Sequence, residues 1–334
     1  MTTLLETRYR TVLRLLPAYY RADREGEMVE VFLWDVDRET QDQSRPTLGE
    51  IASVAALAVR SRLAASGAPR PYALLGSAVR HFALFAVLLQ AAAAVVDRIM
   101  NLTWSSTRGA REWDMFLSGF TGRGALLGTV GVAQWVLPLL WTVGFFALVH
   151  DRRRLARTAV LLAALPTLWP LLEPLVSEWA PSEPWYAVTT ALLAWLPALA
   201  LCAAFHRDAP LAALPVGTPG LLYTACCVVM GGSLVLLPAL ADAAWAPATC
   251  FVLGALGWLL LRARRADSTS TGCGAVALAA LGLLLLAFRV AALSPWLSVP
   301  LPAAFVGGAL AQTAAITLLV VALALVARRD LATR

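Results

Sequence analysis

Pro166, Pro170 and Pro174 recur every fourth residue around Trp169 and Glu173, inside an apolar run. That spacing puts the prolines on one helical face, and each removes a backbone hydrogen bond and kinks the helix. A carboxylate at membrane depth beside freed carbonyls suits a gate or a substrate-binding site in a broken helix. The plainer reading puts Glu173 at the outer water boundary beside Glu178. Arg289 is the one arginine well inside an apolar run. Its long stem lets the guanidinium snorkel to the interface; the sharper alternative is a buried partner, Glu173 or Asp97. Glu173, Arg289 and Pro170 are therefore the candidate functional residues within the membrane.

Little else carries chemistry. The chain has no Walker A loop and no H-E-x-x-H. Its histidines, His81, His150 and His206, border apolar runs. Cys202, Cys226, Cys227, Cys250 and Cys273 show no C-x-x-C spacing. Inside apolar runs cysteine behaves as a small hydrophobe. No catalytic residue, metal site or cofactor site is expected, and the chain is not expected to be an enzyme. An enzyme acting on lipid would need a polar cluster at one interface. The nearest is Asp97, Arg98, Arg108, Arg111, Glu112 and Asp114, which reads as a solvated charged loop. Gln90, Gln134 and Gln312 read as packing contacts between helices. Gly231-Gly232-Ser233 and Gly307-Gly308 read as points of close helix approach.

The elements holding these residues follow from composition. Of 334 residues 59% are hydrophobic and only 14% charged, against roughly 25% charged in ordinary soluble domains. The deficit implies long segments that meet no water. All 27 basic residues are arginine. The net charge of +6 is scattered over short loops, unlike the clustered patch of a nucleic-acid binder. Apolar segments at 78–97, 124–149, 157–177, 186–205, 218–240, 245–263, 272–293 and 302–327 each approach the length of a membrane crossing. Unpaired backbone is too costly in lipid, so each is expected to be helical. The first 30 residues show no signal peptide.

Arginine placement orients the bundle. With the N-terminus inside, inner loops hold Arg152, Arg153, Arg154, Arg157, Arg207, Arg262, Arg264 and Arg265, and the tail adds Arg328, Arg329 and Arg334. Outer loops beyond the first carry Glu178, Glu183 and an aromatic belt of Trp179, Trp185, Tyr186, Trp245 and Trp296. The expectation is a bacterial plasma-membrane protein with both termini in the cytoplasm. Arg98, Arg108, Arg111 and Arg123, in the first outer loop at 98–123, run against this rule.

Residues 1–71 have a different texture. Amphipathic helices are expected from Leu4 to Leu16, from about Arg24 to Asp37, and from Thr47 onward. Pro17 interrupts the first, Thr47 and Glu50 form a capping box for the third, and Gly67 stops it. The fold class is thus all-α: a three-helix cytoplasmic domain at 1–71 and a polytopic bundle of about eight transmembrane helices at 72–334. Three short helices bury little apolar area, which leaves surface for docking.

The run Tyr9-Arg10-Thr11-Val12-Leu13-Arg14-Leu15-Leu16-Pro17, with Tyr20-Arg21 and Glu25-Gly26-Glu27-Met28, resembles a known prefix pattern. Such helical prefix domains precede multi-pass membrane proteins of actinobacteria and other bacteria. Related forms precede ABC-transporter permeases or occur as the HTH-associated α-helical signalling domain. The resemblance covers about residues 5–65. It implies that Arg21 and Glu27 pair, that Met28 lies in the domain core, and that Arg21, Glu27 and Met28 mark a partner-docking surface. It favours a signalling or regulatory membrane protein whose domain docks a cytoplasmic helix-turn-helix regulator or sigma factor. The alternative is a transporter, or a permease subunit that works with an ABC ATPase. The lipid bilayer is a partner in either case, and no direct nucleic-acid binding is expected.

Overall fold

The structure is a computed structural model that describes residues 4–34, 45–63, 68–121, 124–176, 184–206, 219–264, 272–294 and 302–332. Every regular element among them is helical. The chain forms two compact units, residues 1–80 with 202–211, and residues 81–201 with 212–334. Several sequence expectations lie outside the described residues: the Gly67 stop, Arg123, Arg207, Arg265 and Arg334, Glu178 and Glu183, and Trp179 and Trp296.

In the first unit, α1 (Leu4–Leu13), α2 (Ala18–Trp34) and α3 (Leu48–Arg62) enclose a small core. Tyr9, Leu13, Leu16, Val29, Val54 and Ala58 fill it. Tyr9 stacks on Phe32 with ring centroids 3.8 Å apart. The helix α2 starts six residues before the expected Arg24. Pro17 ends α1 but also opens α2, because its carbonyl accepts the Tyr20 and Arg21 amides, both at 3.1 Å. A proline is tolerated there since first-turn amides are unpaired in any helix. The capping box of α3 is present: Glu50 accepts the Thr47 amide at 2.6 Å and returns its own amide to Thr47 Oγ1 at 3.3 Å. Tyr19 donates its hydroxyl to the Ser61 carbonyl at 2.6 Å, tying α2 to α3.

The expected crossings are present: among the described residues eight helices are long and apolar enough to span a membrane, and the chain is a multi-pass helical membrane protein. The first, α4 (Arg70–Thr107), is 38 residues long. At 1.5 Å per residue that is roughly 57 Å, well beyond a hydrocarbon core of about 30 Å. The expected first outer loop is therefore mostly helix. Gly109, with φ of 115°, breaks α4 from α5 (Ala110–Thr121) in a backbone conformation that L side chains resist. Next, α5 doubles back on α6 (Gly124–Val136). A Cβ on Gly131 would lie 2.5 Å from the Gly119 carbonyl oxygen. The close approach lets Phe116 meet Trp135 with ring centroids 5.1 Å apart.

The second crossing continues through a 3-10 turn at Leu137–Leu139 into α7 (Leu140–Val149). The third is α8 (Arg153–Ala164), a 3-10 turn at Leu165–Leu168, and α9 (Trp169–Val176). The break falls at Pro166, where the expected proline effect places it. Then follow α10 (Pro184–Ala204), α11 (Pro219–Leu236), α12 (Trp245–Arg264), α13 (Cys273–Leu293) and α14 (Ala303–Ala332). Neighbours in sequence pack as hairpins, α7 with α8, α11 with α12 and α13 with α14, and α12 also meets α14. Gly144 and Gly282 permit two close contacts: a Cβ on Gly144 would lie 2.5 Å from Val160 of α8, and one on Gly282 2.6 Å from both Phe251 and Val320 side chains. The expected close approach at Gly231 and Gly232 is absent: a Cβ on either meets nothing within 4 Å.

Candidate functional site

Arg289 does not snorkel. It sits on α13 with its side chain fully buried, and its Nη1 donates to both carboxylate oxygens of Asp242. The expected partners, Glu173 and Asp97, are replaced by a residue from the short connection between α11 and α12. Asp242 is positioned by local backbone chemistry. The 3-10 turn at Pro238–Leu240 ends α11, and Asp242 then caps α12. Its Oδ1 accepts the Ala244 amide at 3.1 Å, and its carbonyl accepts the Trp245 amide at 3.1 Å. A carboxylate at a helix N-terminus is stabilised by the unpaired amides and the dipole. Arg289 Nε and Nη2 are buried without a hydrogen-bond partner among the described residues. Such a pair holds its place because separating it leaves a bare charge in a low-dielectric interior.

Two further polar side chains come from α4, and each answers a proline on a neighbouring helix. Pro197 lies inside α10 and has no amide to offer the carbonyl four residues earlier, Leu193. Gln90 Nε2 donates to that carbonyl at 2.9 Å. Pro138 does the same to Gln134 at the end of α6. Arg98 Nη2 donates to the Gln134 carbonyl at 2.7 Å, and its Nε donates to Trp135 at 2.9 Å. The guanidinium lies 4.9 Å from the centre of the Trp135 ring, and Nη1 pairs with Asp97. So Asp97 and Arg98 belong to a helix and not to a loop: Asp97 is exposed, whereas Arg98 is mostly buried and spans the gap between α4 and α6. Gln90 does connect helices, as does Gln312, whose Nε2 donates to the Trp245 carbonyl at 3.0 Å and Thr249 Oγ1 at 2.9 Å. The Gln134 contact is made by its backbone.

These groups surround a cavity of about 510 Å³ within the second unit. Asp97 and Arg98 of α4, Tyr186 of α10, Asp242 and Phe288 of α13 line it, with Trp141 of α7. The volume falls in the range of small-molecule pockets, which are mostly apolar with a few placed polar groups. Tyr186 stacks near Phe288, ring centroids 5.6 Å apart. Its phenol lies within electrostatic reach of both Asp242 and Asp97.

The other sequence candidates lie elsewhere. Glu173 is within α9, and its side chain is outside the described residues. Pro170 and Trp169 line a second cavity of about 510 Å³, which Arg98 also lines. In the first unit, the expected Arg21–Glu27 pair is absent. Among the described residues the ion pairs of this unit join Arg10 to Glu6 at 3.0 Å and to Glu25 at 3.2 Å. Glu25 lies two residues before the exposed Glu27, about 200° round the helix from it, and takes the cation. Arg21 Nε is buried without a hydrogen-bond partner. Met28 is half-buried: it packs on the core and also lines an open groove with Glu27.

Sequence reasoning missed Asp242, Tyr186 and the α4 donors as a group. One signal was available: a proline inside an apolar helix names the carbonyl it frees. Compared with known proteins, the chain matches no family model, no curated protein and no solved structure.

Proposed function

We propose that this chain is a membrane-bound signalling protein. Its spans hold a small hydrophobic ligand, and its N-terminal helices dock a soluble helix-turn-helix regulator or sigma factor at the cytoplasmic face of a bacterial plasma membrane. The observation that carries the docking half is a groove of about 730 Å³ on the three-helix unit. Met28, Val31 and Phe32 run along one face of α2 at the spacing of an amphipathic stripe, with Leu57 of α3 opposite. Trp34 is 90% exposed at the end of that face. Apolar anchors at such spacing suit one amphipathic helix laid in a groove, and methionine adapts to its shape. Arg24 and Glu27 beside them supply charges of both signs to fix register.

The test is copurification of tagged full-length protein from its native membrane, with wild type beside Val31→Asp. Val31 is 62% exposed, so the variant leaves the domain core intact. A regulator recovered with wild type and lost from Val31→Asp supports docking. Recovery of the same regulator with both excludes the groove.

A transporter or ABC permease subunit is the second reading. The broken third crossing and the charged cavity favour it. It requires that an ATPase copurify, or that Glu173→Gln abolish transport while the protein stays in the membrane.

A further inference from the structure

We propose that the cavity beside the Asp242–Arg289 pair binds a lipophilic amine: a protonated ammonium on an apolar body. The case rests on which hydrogen-bonding groups the cavity leaves unused. Its donors are mostly spent on backbone. Thr190 Oγ1 donates to the Tyr186 carbonyl at 2.8 Å, and Thr167 Oγ1 to Ala164 at 2.7 Å. Gln90 Nε2 is committed to Leu193 at 2.9 Å. Arg98 spends three of its five N–H groups on Trp135, Gln134 and Asp97. The acceptors are not spent. A carboxylate offers roughly four lone-pair positions. Among the described residues Asp97 receives Arg98 and Asn101, the latter at 3.0 Å, and its side chain is 58% exposed. Asp242 receives Arg289 and the Ala244 amide, and its side chain, though 94% buried by difference from 6% exposure, still lines the void.

A cavity that offers acceptors and few donors selects a ligand that donates. An anionic headgroup would face two carboxylates, while Arg289, whose Nε and Nη2 are unpartnered among the described residues, does not line the void. For an ammonium the same lining supplies carboxylates and the rings of Trp141, Tyr186 and Phe288, and aromatic faces attract cations. The remaining wall is apolar, with Leu193, Met230 and Leu234, and suits a hydrocarbon body.

The inference names the ligand class for the bundle half of the signalling reading. It is tested without any protein partner, so it and the docking groove fail separately. Purified full-length protein in phosphatidylcholine nanodiscs is unfolded thermally with n-decylamine, n-decanol or n-decanoate. Decylamine should stabilise wild type at concentrations about tenfold lower than the other two. Asp97→Asn should lose most of that preference. Asp242→Asn strands Arg289 and risks misfolding, so Ala94→Phe is the second variant; Ala94 lines the cavity and its enlargement fills the space. Ala94→Phe should abolish the decylamine response. Equal responses to the three probes, a preference for decanoate, or an unchanged response in Ala94→Phe would overturn the proposal. Adding phosphatidylethanolamine separates the sources: suppression of the decylamine response assigns the site to a lipid ammonium, and an unchanged response assigns it to a free amine.

Discussion

Asp242 caps the first turn of α12 and at the same time receives Arg289 from the C-terminal half of α13, 47 positions away in sequence. One carboxylate thus ends a turn and neutralises the fully buried arginine of the bundle. The two duties are inseparable, because the backbone amide of Ala244 sets where the carboxylate points.

The first prediction concerns that pair. Arg289→Gln and Asp242→Asn each leave one buried charge without its partner, a loss of about 3–5 kcal/mol in comparable soluble cases. The double variant Asp242→Asn/Arg289→Gln should recover a large part of this. Thermal unfolding in nanodiscs of the two single variants and the double one gives the coupling. Additive losses would mean that the pair is not a unit.

A second prediction follows from the proline-freed carbonyl on α10. Gln90→Leu removes the donor to Leu193 and should destabilise by about 1–3 kcal/mol, the cost of an unsatisfied buried acceptor. Pro197→Ala restores an in-helix amide for the same carbonyl. In that background Gln90→Leu should cost much less. The cycle is read by the same unfolding measurement, and equal cost in both backgrounds would break the link between Gln90 and Pro197.

The α5–α6 hairpin supplies a third. Gly131→Val places side-chain atoms against the Gly119 carbonyl oxygen, which is only 2.5 Å from an added Cβ. The two helices must separate, and the Phe116–Trp135 contact goes with them. Hydrogen exchange across residues 110–121 should rise sharply relative to wild type. Gly254→Val is the control, because nothing lies within 4 Å of a Cβ there.

The fourth is a pH dependence in the three-helix unit. Burial raises the Tyr9 phenol above its ordinary 10.0, with the nearby Glu50 carboxylate adding to it. Burial, then Tyr72 and Tyr20, do the same to Tyr19. The folded values exceed the unfolded ones, so the stabilisation is complete below pH 10. It is lost as pH rises through the folded values, because unfolded chains release those protons first. Tyrosinate absorbance, taken as the difference between wild type and Tyr9→Phe or Tyr19→Phe, should appear only above pH 10.

The crossings were legible in sequence because hydropathy over some 20 residues decides membrane burial regardless of partners. Thr47 and Glu50 were legible for a similar reason: a capping box is a local device. The start of α2 was missed because Pro17 was read only as a stop, although its carbonyl also opens the next helix. Arg289 was flagged, but its partner was not. Asp242 is a lone charge in an otherwise apolar turn, and no local rule links it to a residue 47 positions on. Gly231 and Gly232 misled in the opposite direction, since small residues permit close approach without requiring it. The side chain of Glu173, the most conspicuous residue of the sequence, lies outside the described residues.

The dependence of α6 and α10 on Gln90 and Arg98 bears on biogenesis. Neither helix satisfies its own backbone: each carries an orphaned carbonyl that lipid cannot solvate. The donors are on α4, which emerges from the ribosome before both. Each proline-broken span therefore inserts into a bilayer where its missing hydrogen bond is already waiting. A chain permuted so that α4 is translated last would have to hold those open carbonyls in hydrocarbon until the end of synthesis.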